Sequence, residues 1–126
     1  KIVHGAQEIR LKKSFKIKLG NIDTVRDWGC SFEYVKAMHL MMANDKPADF
    51  IIATGVSYSL REFAREVFKL NNLDFSEYIE IDKSLFRPND INATRLDPSK
   101  AERVLGWKSS IDLKKLARIM VNGDLL

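Results

Sequence analysis

Residues Phe50-Ile51-Ile52-Ala53-Thr54 form an apolar run without polar alternation, and Gly55 ends it. A strand with one wet face alternates apolar and polar residues, whereas a strand covered on both faces reads as a continuous apolar run. That pattern predicts a buried strand of a parallel sheet, and so an α/β fold. Just beyond it, Ser59-Leu60-Arg61-Glu62 has the spacing of a capping box, in which serine and glutamate satisfy each other's backbone amides. The helix opened there carries Leu60, Phe63, Val67 and Leu70 inward. A chain of 126 residues can build one hydrophobic core but not two ordinary domains.

The rest of the chain alternates in the same manner. Residues 1–12 read as a helix, with Ile2, Ala6 and Ile9 three or four apart. Phe15, Ile17 and Leu19 alternate with Lys16 and Lys18, the mark of a half-buried strand, which Gly20-Asn21 ends. Thr24 to Trp28 reads as extended. Ser31 is a candidate cap for a helix with Phe32, Val35, Met38 and Met42 on one face, and Met38, Met41 and Met42 read as a core stripe. Tyr78 to Ile81 predicts a short strand. Asp97-Pro98 predicts a helix start and Leu105-Gly106 its end, with glycine in the left-handed cap. Ser110 is expected to open a last helix using Leu113, Leu116, Ala117 and Met120. The opening, Lys1-Ile2-Val3-His4-Gly5, starts as if inside a helix and without Met, which predicts a piece of a longer polypeptide.

Composition narrows the function classes. No apolar run approaches the roughly 20 residues that span a bilayer, so no membrane association is expected. The lone cysteine, Cys30, allows no intrachain disulfide, fits a reducing cytoplasm, and reads as a buried small side chain. His4 and His39 lack a second ligand at metal spacing, so no metal site is expected. The net charge of +4 suits nucleic acid, a membrane surface or a phosphorylated ligand equally. The lysines are spread along the chain among 17 acids, which speaks against a nucleic-acid stripe, and Arg10-Leu11-Lys12-Lys13 reads as a solvated helix end.

Several motifs together carry a family resemblance. They are Leu19-Gly20-Asn21 leading into Arg26-Asp27-Trp28-Gly29; Tyr34-Val35-Lys36-Ala37-Met38; and Phe50 to Gly55 followed by Ser59, Arg61, Glu62 and Phe63. Phe86-Arg87-Pro88, Asp97-Pro98-Ser99-Lys100-Ala101 and Leu105-Gly106-Trp107-Lys108 complete them. In this order the chain resembles the GDP-mannose 4,6-dehydratases of the extended short-chain dehydrogenase/reductase superfamily, over essentially its whole length. The resemblance implies the C-terminal, sugar-nucleotide-binding portion (residues 1–126) of a Rossmann-type α/β fold, incomplete without its N-terminal dinucleotide-binding part. Residues 31–70 would then pack on the edge of that missing domain.

The activity implied is that of an NADP-dependent lyase, a cytoplasmic homo-oligomer in the pathway to GDP-fucose. It oxidises the mannosyl C4 of GDP-mannose, eliminates water across C5 and C6, and returns the hydride at C6 to give GDP-4-keto-6-deoxymannose. The family's Gly-x-x-Gly-x-x-Gly loop, Thr-x-Glu pair and Tyr-x-x-x-Lys pair are absent here, so this stretch alone is expected to hold no catalytic or cofactor-binding residue and to be inactive.

What remains readable is anion recognition. A diphosphate carries about two negative charges, and arginine meets it with a planar fork of charge-assisted hydrogen bonds. Arg26 and Arg87 match the family positions that grip the diphosphate, Asp90 a ribose-binding carboxylate, and Lys1 a lysine near the guanine. Asp90 stands where glutamate is usual and Cys30 where histidine is common. The plainer readings are a local Arg26–Asp27 ion pair, a solvated Arg87, and Asp90 as a turn residue after Pro88-Asn89. At the level of function the alternatives are a dehydratase or epimerase acting on another nucleotide sugar, and a small basic nucleic-acid-binding module.

Overall fold

The computed structural model describes residues 1–123; the last three positions of the expected 1–126 unit lie outside the described residues. Helix α1 (Ile2–Arg10) turns Ile2, Ala6 and Ile9 inward, as their spacing predicts. Strand β1 (Ile17–Leu19) buries Ile17 and Leu19 and exposes Lys18. It pairs in parallel with β4 (Ile79–Ile81), Ile17 opposite Ile79 and Leu19 opposite Ile81. Phe15 was expected to join this strand and instead is 86% exposed. Its alternation with Ile17 continues past the end of the three-residue ladder, where no partner strand holds it.

Against this parallel pair pack α3 (Leu60–Leu70) and α6 (Leu113–Asn122). Phe63, Ala64, Val67 and Phe68 of α3 join Leu113 and Ala117 of α6 and the buried face of α1 in the main core. The capping box of α3 is complete: Ser59 N donates to Glu62 Oε2 at 2.7 Å, and Glu62 N donates back to Ser59 Oγ at 3.2 Å. Leu60 and Leu70, expected inward, are only half-buried at the core's edge. The short helix α4 (Phe75–Tyr78) takes Tyr78 out of the expected strand and leads into β4.

A second layer is built from α2 (Ser31–Met42) and α5 (Ser99–Leu105). Ala37 and Ala101, both fully buried, let the two helices close on Trp107. The expected methionine core stripe is therefore corrected: Met38 is 59% and Met42 88% exposed, along with Phe32 and Val35. The small residue faces inward because only it allows this close approach, and the bulky apolar face is left outside.

Residues 50–54 are likewise not a strand among the described residues. A strand needs a hydrogen-bonded neighbour, and no described segment supplies one. Phe50 and Ile52 pack toward Trp107 while Ile51 stays 48% exposed. The segment continues to β3 (Ser57–Ser59), which pairs antiparallel with β2 (Val25–Asp27).

Helix starts also shift. Cys30, not Ser31, holds the N-cap position of α2, without a side-chain cap bond. Pro98 rather than Asp97 is the cap position of α5, although Asp97 Oδ1 still accepts from Ser99 N at 2.9 Å. Gly106 ends α5 in the left-handed conformation, φ 64°, as expected. Asp112 caps α6 in place of Ser110, accepting from Lys115 N at 2.8 Å. Ser110 is taken elsewhere. Its N and Oγ both donate to Glu33 Oε1 at 2.8 Å.

Glu33 is the buried charge that joins α2 to the chain before α6. Its other oxygen accepts from Ser109 Oγ at 2.5 Å and Ile111 N at 3.3 Å, and its backbone carbonyl accepts from Trp107 Nε1 at 3.0 Å. Burial by itself pushes the Glu33 carboxyl up, but the hydrogen bonds from Ser109, Ser110 and Ile111 outweigh it and hold the carboxyl below its ordinary 4.5. A carboxyl lowered in the folded state stabilises the fold fully above its unfolded value, and that contribution is lost as pH falls through the lower folded value. Glu33→Gln should therefore reduce stability at neutral pH by about 1–3 kcal/mol, since an amide presents donors to the donors around it. In urea unfolding the gap between variant and wild type should narrow as pH drops below 4.5. A gap that stays constant into acid would contradict this assignment.

Candidate functional site

β1 leaves the core at Gly20, where the chain passes close to another backbone. A Cβ at Gly20 would lie 2.9 Å from the carbonyl oxygen of Leu85, so only glycine fits without displacing that turn. Asn21 and Thr24 close the following loop: Asn21 Oδ1 accepts from Asp23 N at 3.0 Å, and Thr24 Oγ1 donates to the Asn21 carbonyl at 3.3 Å. Leu60 N donates to Thr24 O at 3.0 Å and Arg61 N to Ile22 O at 2.8 Å, which straps the loop to the start of α3.

β2 follows directly. Successive side chains of a strand point to opposite faces, and here Arg26 and Asp27 take separate tasks. The local Arg26–Asp27 ion pair is thus corrected. Asp27 accepts the backbone N–H of Thr54 and of Gly55, each at 2.9 Å, and the Tyr34 hydroxyl at 3.4 Å. It ends the 50–54 segment as a cap would. Burial and then the Asp27 charge push the Tyr34 phenol up to about 12, so it stays a neutral donor.

Arg26 faces the other way. Its Nη1 donates to Val25 O at 2.8 Å and its Nη2 to Asp90 Oδ1 at 2.9 Å. Asp90 closes a turn from Arg87 through Pro88 and Asn89, its N donating to Arg87 O at 3.3 Å. The turn is pinned because the next residues lie along β2: Val25 N donates to Asn92 O at 2.8 Å and Thr94 N to Val25 O at 3.0 Å. Val25 therefore has β3 on one side and the 92–94 segment on the other.

Arg26, Arg87 and Asp90 line one open cavity of about 260 Å³, with Gly20, Asn21, Thr24, Leu60 and Leu85 forming the rest of its wall. The two guanidinium groups come from positions far apart in the chain. With one carboxylate among them the lining is net positive, and among the described residues Arg87 has no side-chain hydrogen bond or ion pair. The Arg26–Asp90 pair is partly exposed, so it contributes only about 0–1 kcal/mol to stability. Lys1 is outside this wall. It is exposed at the start of α1, where its charge adds slightly to the hydrogen bonds from Ser84 that lower the Asp82 carboxyl.

This architecture has known counterparts. A family model described as GDP-mannose 4,6 dehydratase matches residues 1–120. The chain belongs to this family. It is 39% identical over 125 residues to GDP-mannose 4,6 dehydratase 1 of Arabidopsis thaliana, covering 99% of this chain and 35% of the relative. To the GDP-mannose 4,6 dehydratase of Homo sapiens it is 33% identical over 142 aligned residues, covering 99% of the chain and 38% of that protein. The chain thus spans little more than a third of these dehydratases. Among solved structures it superposes on RMD from Pseudomonas aeruginosa, complexed with NADPH, with a TM-score of 0.83 and 17% identity, covering 96% of this chain and 41% of that one. It also matches the UDP-glucose 4-epimerase of Thermotoga maritima with UDP-glucose, TM-score 0.77 and 19% identity, covering 96% and 38%. These structural matches establish the α/β fold expected from the sequence.

Within this dehydratase-family chain, Gly20, Asp27 and Glu33 are the positions that residue-by-residue reading does not single out. Asp27 accepts from amides 27 and 28 residues away and Glu33 from amides 77 and 78 residues away, a relation that no local pattern encodes. For Gly20, the strand-ending Gly20-Asn21 pair marked a turn but not the nearness of Leu85. Gly20→Ala should force the Leu85 turn outward and cost about 1–3 kcal/mol in chemical denaturation; wild-type stability would show that the approach is looser than 2.9 Å.

Proposed function

We propose that this chain is the substrate-binding portion of an NADP-dependent GDP-mannose 4,6-dehydratase, a lyase acting in the cytoplasm as a homo-oligomer. The observation that carries the reading is the meeting of Arg26, Arg87 and Asp90 at one cavity in a chain of this family. Arg26 and Arg87 hold the diphosphate of GDP-mannose, Asp90 receives the ribose hydroxyls, and Lys1 serves the guanine end. A sheltered guanidinium–phosphate contact has a Coulomb term of roughly 4 kcal/mol at an effective dielectric near 20.

The chain's own residues do not suit the nicotinamide dinucleotide. Gly20 and Gly29 are its nearest pair of glycines, too far apart for a phosphate-cradling loop, and the wall of the cavity offers only the two arginines as cationic donors. NADP is therefore assigned to other parts of a longer polypeptide, and the role of this chain is to hold and orient the nucleotide sugar. Residues 31–70 are proposed to pack on the edge of that dinucleotide-binding domain. The exposed apolar face of Phe32, Val35, Met38 and Met42 supports this.

Arg87→Ala in the full-length protein should weaken GDP-mannose binding by about 1.5–3 kcal/mol in titration calorimetry, the range for a hydrogen bond to a charged group. Unchanged affinity would remove Arg87 from the site. Titrating UDP-, CDP- and dTDP-sugars in parallel separates this reading from a relative that uses another nucleotide. Residues 1–126 prepared alone should self-associate in light scattering because the α2 face is uncovered; a well-behaved monomer would count against the proposed packing.

A further inference from the structure

Each terminal nitrogen of Arg26 already donates one hydrogen bond, Nη1 to the Val25 carbonyl and Nη2 to Asp90, which leaves three of its five N–H donors. An incoming oxyanion therefore meets a guanidinium whose charge the Asp90 carboxylate already offsets, with one donor of the fork taken. Arg87, without a side-chain partner among the described residues, is open to make the first contact. Asp90 lies at the end of a surface turn, two residues ahead of Asn92 where the 92–94 anchor on β2 begins, so it can swing without unpinning the segment.

We infer that Asp90 is a specificity residue that selects against ligands offering only anionic oxygens, by competing with them for Arg26. The inference rests on the diphosphate reading of the cavity. An oxyanion drawn to Arg26 sits beside the Asp90 carboxylate, a like charge that competes for the same guanidinium, which is unfavourable. A ligand that also carries neighbouring hydroxyl groups gives Asp90 new donors, so the exchange of partners becomes nearly balanced. The same pair that disfavours inorganic pyrophosphate thus admits a nucleotide sugar.

The test measures binding of inorganic pyrophosphate and of GDP-mannose to the full-length protein and to Asp90→Asn. The variant should bind pyrophosphate about threefold to tenfold more tightly, while GDP-mannose gains nothing, so selectivity narrows. Asp90→Ala should show the same gain for pyrophosphate. If both variants bind pyrophosphate no better than wild type, Asp90 does not compete for Arg26 and the inference is overturned. If Arg26→Ala and Arg87→Ala leave GDP-mannose binding intact, the diphosphate reading itself fails, whatever the Asp90 variants do.

Discussion

The alternation of side chains along β2 is the constraint on which the rest of the arrangement depends. Three residues, Val25 to Asp27, are hydrogen-bonded along one edge to β3, and Val25 bonds on the other edge to the 92–94 segment. Because neighbouring residues of a strand face opposite ways, Arg26 is delivered to the cavity and Asp27 to the amides of Thr54 and Gly55. A one-residue slip in register would exchange these two charges, putting a carboxylate in the cavity where Arg26 now stands. The short ladder thus fixes both the sign of the site and the path of the chain into β3.

Around that strand the molecule uses buried or half-buried carboxylates as connectors. Asp27 ties the 50–54 segment, Glu33 ties α2 to residues 109–111, and Asp90 ties the Arg87 turn to β2. Each joins segments distant in sequence by accepting hydrogen bonds, Asp27 largely and Glu33 half from backbone amides. Such contacts are directional, so they specify geometry where the apolar contacts of the second layer are few. The main core of α1, α3 and α6 needs no such help, since Phe63, Val67 and Phe68 are buried with Ile17 and Leu19.

The asymmetry between the two layers bears on function. The core-facing side of α3 is complete, whereas α2 shows Phe32, Val35, Met38 and Met42 to solvent and the 50–54 run has no ladder partner among the described residues. Both features lie on one stretch of chain. The cavity lined by Arg26, Arg87 and Asp90 is on the other side of β2. The charged cavity and the exposed apolar face are therefore separate features of the surface.

The sequence by itself determined what depends on near neighbours. The capping box of α3, the left-handed Gly106, the α1 face and the burial of Cys30 follow from spacings of a few residues, and the family follows from motifs read in order. Arg26, Arg87 and Asp90 were named as candidates because they match positions in the family's motifs; by residue type alone they read equally as an ion-pair partner, a solvated arginine and a turn residue. Only the tertiary structure decided that Arg26 pairs with Asp90 rather than Asp27, that Asp112 replaces Ser110 as a cap, and that the methionines face out. Those outcomes depend on which distant segment competes for the same hydrogen bond or the same small contact face. That competition is settled in three dimensions, among groups whose separation in sequence says nothing about their separation in space.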